Sequence, residues 1–211
     1  LFGEQGEKEL QRARRRSGVM IEQPGFFGNL TVENNMEYYR IQKGVPGKEK
    51  VEEMLRMTGI WEKRKCRCKT LSMGMKQRLG LAMAMLGEPE LLILDEPING
   101  LDPAGIVEMR KLMLRLNKEN GLTIIISSHI LSELANMATC YGFIDHGQIL
   151  QEMSAEELEA KEKSYVKVRT SNGEKAAEYL SKELQLDASY NADDDTIYIY
   201  FENNDSKVKR A

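Results

Sequence analysis

The sequence predicts an α/β fold: a parallel sheet, a helical subdomain inserted ahead of its second strand, and a small α+β appendage at the carboxyl end. Three observations predict it. Leu91-Leu92-Ile93-Leu94 is an apolar run without polar alternation, as expected of a parallel strand buried on both faces. Thr123 to Ser128, with three consecutive isoleucines, reads as a second buried strand, and the helical stretch between the two makes a βαβ crossover. After residue 150 the pattern becomes a charged helix followed by strand, helix and strand, too small to extend the main sheet.

In chain order, residues 7–16 are charged and predict a helix, and Val19-Met20-Ile21 is a short strand ending at Glu22-Gln23-Pro24-Gly25. Thr31 is the expected N-cap of a helix through Gln42, and Gly44, Pro46 and Gly47 separate it from a helix over 48–57 whose apolar face is Val51, Met54 and Leu55. Ser72 caps a third helix with a core stripe of Leu79, Met83 and Leu86, stopped by Gly87 and Pro89. Residues 24–86 thus form the inserted helical subdomain. Asp102 followed by Pro103 starts a helix with Ile106, Met109, Met113 and Leu116 on one face, ending at Asn120-Gly121. A helix is expected from His129 through about Cys140, and Asp145-His146-Gly147 reads as the turn of a hairpin. The appendage comprises a helix over 154–163, strands over 165–169 and 196–202, a helix over 174–184, and a disordered tail. Its acidic loop, Asp193-Asp194-Asp195, lacks the ligand spacing and glycine turn of a cation loop. The expected division is 1–150 and 151–211.

A chain of 211 residues with net charge −3 has room for one sizeable domain with a small appendage, and this balance gives no argument for nucleic acid. The basic clusters Arg12 to Arg16 and Lys63 to Lys69 are local and read as solvated faces. Three cysteines, an odd count without paired metal spacing, read as free thiols. No apolar run approaches the roughly 18 to 20 residues needed to cross a bilayer.

Chemistry is expected at the carboxyl ends of parallel strands, where ligands bind in open α/β sheets. Asp95 and Glu96 arrive together there, and adjacent carboxylates suit a division in which one holds hydrated Mg²⁺ and the other takes a proton from an attacking water. An acidic turn after a buried strand would look the same. His129 ends the next strand, which puts it on the same rim, although a lone histidine after a strand is more often structural. Ser72 at a helix N-terminus presents free N–H groups and partial positive charge suited to phosphate, and Gly74 leaves room for close approach; an ordinary capped helix is the alternative.

In this order the pieces resemble the nucleotide-binding subunit of an ABC transporter, a P-loop NTPase-type fold. Leu71-Ser72-Met73-Gly74-Met75 is similar to the family's signature motif, Leu91 to Glu96 to its Walker B strand and catalytic carboxylate, Gly100-Leu101-Asp102-Pro103 to its D-loop, and His129 to its switch histidine. Glu22 stands where the family carries the Q-loop glutamine, with Gln23 one step later. That glutamate, Met73 and Met75 around Gly74, and the run Gly74 to Gly80 resemble the bacitracin-resistance and lantibiotic-immunity subgroup.

The resemblance implies ATP sandwiched between two such subunits, identical or not, that dock on integral permease subunits at the cytoplasmic face of the membrane. It implies Glu96 as catalytic base and His129 as transition-state support. Ser72, Gly74 and Met75 would face the γ-phosphate across the dimer, with Asp102 at the seam. Asp95 would hold Mg²⁺ through water, and Glu22 would sense the γ-phosphate or add a further metal ligand. No Gly-x-x-x-x-Gly-Lys-[Ser/Thr] occurs, and only twenty-one residues precede Glu22, so a chain truncated at its N-terminus, inactive by itself, is expected. A non-transport ABC ATPase and a degenerate regulatory subunit are the alternatives.

Overall fold

The computed structural model describes residues 2–161, 164–170, 172–192 and 195–201. Those residues divide into two compact units, one up to Met137 and the other from Ala138 onward.

The first unit begins with α1 (Glu7–Arg15) and β1 (Ser17–Met20). Next come α2 (Val32–Gln42) and α3 (Glu49–Met57), and α4 (Met73–Met85) precedes β2 (Leu91–Asp95), α5 (Pro103–Asn120) and β3 (Thr123–Ser127). The three strands form one parallel sheet in the order β1-β2-β3, with Val19 opposite Ile93 and Ile93 opposite Ile125. The caps stand where the sequence places them. Thr31 accepts from the Asn34 N–H at 3.2 Å, Asp102 from the Gly105 N–H at 3.0 Å, and Ser72 from the Met75 N–H at 3.4 Å. Pro103 occupies the first turn of α5, and Gly121 closes it in the left-handed conformation.

Helix α4 is the centre of this unit. In place of the expected stripe of Leu79, Met83 and Leu86, every residue from Leu79 to Leu86 is buried, because α4 packs against α2, α3, α5 and β1 at once. Its approach to β1 is close enough to require glycine twice. A Cβ at Gly18 would lie 2.5 Å from the Ala84 carbonyl oxygen, and one at Gly80 2.5 Å from Pro24 Cγ and 2.9 Å from Met20 Sδ. Lys43 reaches the far end of α4 and donates to the Met83 carbonyl at 2.8 Å; burial lowers its pKa. The fully buried Asn35 holds the preceding loop, accepting from the Phe27 N–H at 2.8 Å and donating to the carbonyls of Phe27 and Thr31, both at 3.0 Å.

Two expectations for this unit need correction. β3 is not buried on both faces: Ile124 and Ile126 pack on the core, but Ile125 is 53% exposed, and its neighbour across β2, Val19, is 58% exposed. On that second face Leu91 is buried, while Val19 and Ile125 are open. The helix expected from His129 to Cys140 is a single turn, α6 (Leu131–Leu134). No side chain caps its start, and Asn136 Nδ2 donates to the Ser132 carbonyl at 2.8 Å, taking an acceptor that a continuing helix would use.

The second unit opens with an antiparallel hairpin, β4 (Cys140–Asp145) and β5 (Gln148–Ser154). His146 and Gly147 both have positive φ, 46° and 75°, as a two-residue hairpin turn requires. The hairpin lies in the unit that begins at Ala138, and the division expected at 150 falls inside β5. Ser154 and Glu157 form a reciprocal capping box at the start of α7 (Ala155–Lys161), with hydrogen bonds of 2.8 and 3.1 Å. There follow β6 (Ser164–Val168), α8 (Gly173–Lys182), β7 (Asp187–Asn191) and β8 (Thr196–Phe201), the strands forming an antiparallel sheet in the order β6-β8-β7. β7 was not expected. Of the acidic triplet, Asp193 and Asp194 lie outside the described residues, as does the tail; Asp195 accepts from the Tyr190 hydroxyl at 2.8 Å.

Candidate functional site

The register of β2 against β3 places Asp95 opposite Ser127, so the side chains that leave both strand ends emerge on one rim. The Ser127 hydroxyl donates to Asp95 Oδ1 at 2.6 Å and accepts from the Glu96 N–H at 3.1 Å. That N–H also reaches the Ser127 carbonyl at 3.2 Å. One serine thus fixes the direction of the Asp95 carboxylate and the start of the turn that carries Glu96.

Glu96 has φ +45°, in the left-handed region that side chains rarely adopt. The turn out of β2 produces this conformation: the Asn99 N–H donates to the Glu96 carbonyl at 3.1 Å, and the Leu101 N–H to Ile98 at 3.3 Å. Glu96 Oε1 lies 2.9 Å from His129 Nδ1, and since a carboxylate only accepts, the proton of this bond sits on Nδ1. Glu96 Oε2 is buried without a hydrogen-bond partner. A buried carboxylate oxygen left in this way is expected to be satisfied by a polar atom that the chain does not supply, such as a water. Among the described residues no group of three or more His, Cys, Asp or Glu side chains could hold a metal ion. Asp95 is exposed and oriented, and fits a Mg²⁺ that takes most of its oxygens from water and phosphate.

The other residues singled out in the sequence fall in two neighbouring clefts. Ser72, Gly74, Met75, Leu101 and Asp102 line one of about 790 Å³, which brings the N-terminus of α4 and the start of α5 to one wall. The Ser72 and Asp102 side chains serve there as helix caps, and the Met75 N–H is engaged by Ser72. Glu22 lies in the second cleft, of about 310 Å³, with Phe26, Lys76, Gln77 and Asn99. Gln77 Nε2 donates to the Glu22 carbonyl at 3.2 Å, and Asn99 Nδ2 donates to Glu22 Oε1 at 2.8 Å.

Sequence reasoning missed Ser127, Gln77 and Asn99. Ser127 could have been found, since parallel pairing of β2 with β3 fixes which residue faces Asp95. Asn99 and Gln77 carry no such signal, because their partner lies 77 and 55 positions away. Cys66, Cys68 and Cys140 are free thiols, as expected. Burial pushes the Cys68 thiol up to about 11, against the opposing hydrogen bond from Asn35.

Residues 3–99 match the family model described as ABC transporter, and residues 67–135 match one described as AAA domain, putative AbiEii toxin, Type IV TA system. The uncharacterized ABC transporter ATP-binding protein YcbN of Bacillus subtilis is 44% identical over 87% of this chain and 60% of its own length. The bacitracin transport ATP-binding protein BcrA of Enterococcus faecalis is 40% identical over 95% of this chain and 65% of its own. The lantibiotic transport ATP-binding protein SrtF of Streptococcus pyogenes is 42% identical over 70% and 64%. The chain thus spans between 60% and 65% of the length of these relatives. Among solved structures, cbiO1 of Clostridium perfringens, part of the ABC transporter complex cbiONQ, superposes with a TM-score of 0.66 at 25% identity, covering 85% of this chain and 68% of that one. A dimeric bacterial ABC transporter cassette gives 0.61 at 23% identity, over 72% and 68%.

Proposed function

The chain carries an ABC transporter ATP-binding domain, and from that premise we propose that the complete protein hydrolyses ATP to drive export of a peptide antibiotic. The observation that supports hydrolysis is the linked group at the ends of β2 and β3, in which Ser127 orients Asp95 and His129 contacts Glu96. Glu96 acts as general base: its carboxylate, held through Oε1 by His129, accepts the proton of the attacking water. His129 keeps that carboxylate aimed through Nδ1–H, and its Nε2 donates to the developing charge on the phosphoryl group only when the ring carries its second proton. Asp95 would hold Mg²⁺ through water, and the ion when bound supplies charge neutralisation between the phosphates. Glu22 is a further candidate for contact with that ion or with the γ-phosphate.

Ser72, Gly74, Met75 and Asp102 line the wide cleft, and their role is to meet the nucleotide of a second ATP-binding subunit, identical or different. The export reading draws on the bacitracin and lantibiotic transport relatives, and it implies integral permease partners and a peripheral place at the cytoplasmic face of the membrane. Among the described residues no helix is long and apolar enough to cross a membrane.

The test is Glu96→Gln in the complete protein assembled with its partners. Phosphate release should fall roughly 10²- to 10⁴-fold, the span for a positioned general base, while nucleotide binding persists. Cells relying on the variant should lose resistance to bacitracin or a lantibiotic. An unchanged release rate removes Glu96 from this role, and full resistance with hydrolysis abolished removes the export reading.

A further inference from the structure

Residue 22 is held at two points that belong to different parts of the first unit. Gln77, 1% exposed on α4, fixes its backbone carbonyl, and Asn99 fixes its carboxylate at 2.8 Å. Asn99 has a second attachment. Its backbone N–H closes the turn whose first residue is Glu96, with 3.1 Å to the Glu96 carbonyl. A single residue therefore grips the carboxylate of Glu22 with its side chain and the backbone of Glu96 with its main chain. Since Glu96 stands at φ +45°, its side-chain direction depends on that turn staying closed.

We propose that Asn99 is a positioning residue that ties Glu22 to the turn carrying Glu96, so that displacement of residue 22 in its cleft alters the aim of the Glu96 carboxylate. This rests on the assignment of Glu96 as the general base. The chemistry explains why an amide stands at 99. An amide nitrogen donates to a carboxylate, whereas an acid would repel it and an apolar side chain would leave it unheld. The link also gives the cleft that contains Glu22, Phe26 and Gln77 a physical route to the hydrolytic rim through one side chain and one four-residue turn. Whatever occupies that cleft can act on the base without touching it.

The test exploits the direction of the hydrogen bond in the complete, partner-assembled ATPase. Asn99→Asp sets two carboxylates against each other and should lower turnover about tenfold and lower the melting temperature. Glu22→Gln alone keeps an acceptor for Asn99 and is the reference against which the double variant is read, whatever the change costs by itself at the nucleotide. Combined, Gln at 22 donates to Asp at 99, the same bond reversed, so the double variant should recover to within about threefold of Glu22→Gln in turnover and recover in melting. A structural role alone would restore melting without restoring turnover, and that result overturns the positioning role. Additive losses in both measurements overturn the link itself. Glu96→Gln serves in parallel: if it leaves turnover intact, the general-base assignment has failed, and melting of the double variant still judges the link.

Discussion

Gly80→Ala is the most direct challenge to the way α4 sets the position of residue 22. The added Cβ would stand 2.5 and 2.8 Å from two carbons of the Pro24 ring and 2.9 Å from Met20 Sδ. Carbon atoms in contact sit at about 3.5 to 4.0 Å, so α4 and the segment after β1 must separate by roughly 1 Å. A proline ring cannot swing aside as the end of a long side chain can. Such overpacking costs about 1 to 3 kcal/mol, offset by about 1 kcal/mol because alanine is the better helix former. The net expectation is a loss of about 1 kcal/mol, or roughly 3 °C in melting temperature for a domain of this size. Gly74→Ala on the same helix is the control. Its Cβ would meet only Leu101 Cδ2 at 3.8 Å, an ordinary contact, so melting should hold or rise. Turnover should fall in both variants, through displacement of Glu22 in the first and crowding of the wide cleft in the second. Scanning calorimetry and phosphate release on the complete protein separate the two effects. If Gly80→Ala melts as high as Gly74→Ala, the close approach of α4 to Pro24 is wrong.

Ser127→Ala removes the hydroxyl shared by Asp95 and the Glu96 N–H, and because these groups are solvent-accessible the loss should be about fivefold in turnover, with Ser127→Thr retaining most of it; equal rates in all three would deny the serine any orienting role. Alkylation by iodoacetamide at mildly alkaline pH should modify the exposed Cys140 and spare Cys68, whose thiol is buried and raised to about 11; peptide mapping that finds Cys68 labelled in the folded protein would contradict its burial. Arg16 donates to Glu90 at 2.7 and 2.6 Å and holds its carboxyl below the ordinary value of 4.5. A lowered folded pKa gives stability that is present above the unfolded value and lost as pH falls through the folded one, so Glu90→Gln should flatten the acid limb of a melting-temperature profile, slightly, since both groups are exposed. An unchanged acid limb would show that the pair adds nothing.

The parts of the fold that could be read from the chain are those in which a few adjacent residues decide the backbone. Thr31, Ser72 and Asp102 cap the helices assigned to them, and His146-Gly147 turns the hairpin, because each depends on local geometry. β7 escaped because Asp187, Ser189 and Asn191 are poor strand residues, and pairing with β8 overrides that preference. The burial of α4 on nearly all sides and the one-sided covering of β3 depend on which elements surround them, and hydrophobic period alone carries no such information. The candidate site divides in the same way. Asp95, Glu96 and His129 were legible from their place at strand ends, whereas Ser127 needed the strand register and Asn99 needed a contact across 77 positions.

The left-handed backbone of Glu96 bears on how this position would drift. A non-glycine residue at φ +45° costs about 1 to 2 kcal/mol relative to glycine, so folding on its own would favour glycine or asparagine there. A glutamate here thus costs folding stability that glycine would not. A copy of this gene released from any need for the carboxylate should accumulate glycine or asparagine at position 96 early, and its product should melt higher than the parent. Duplicated copies within a genome could be sorted on that one codon into those still under selection for the carboxylate and those kept for their folded surface alone.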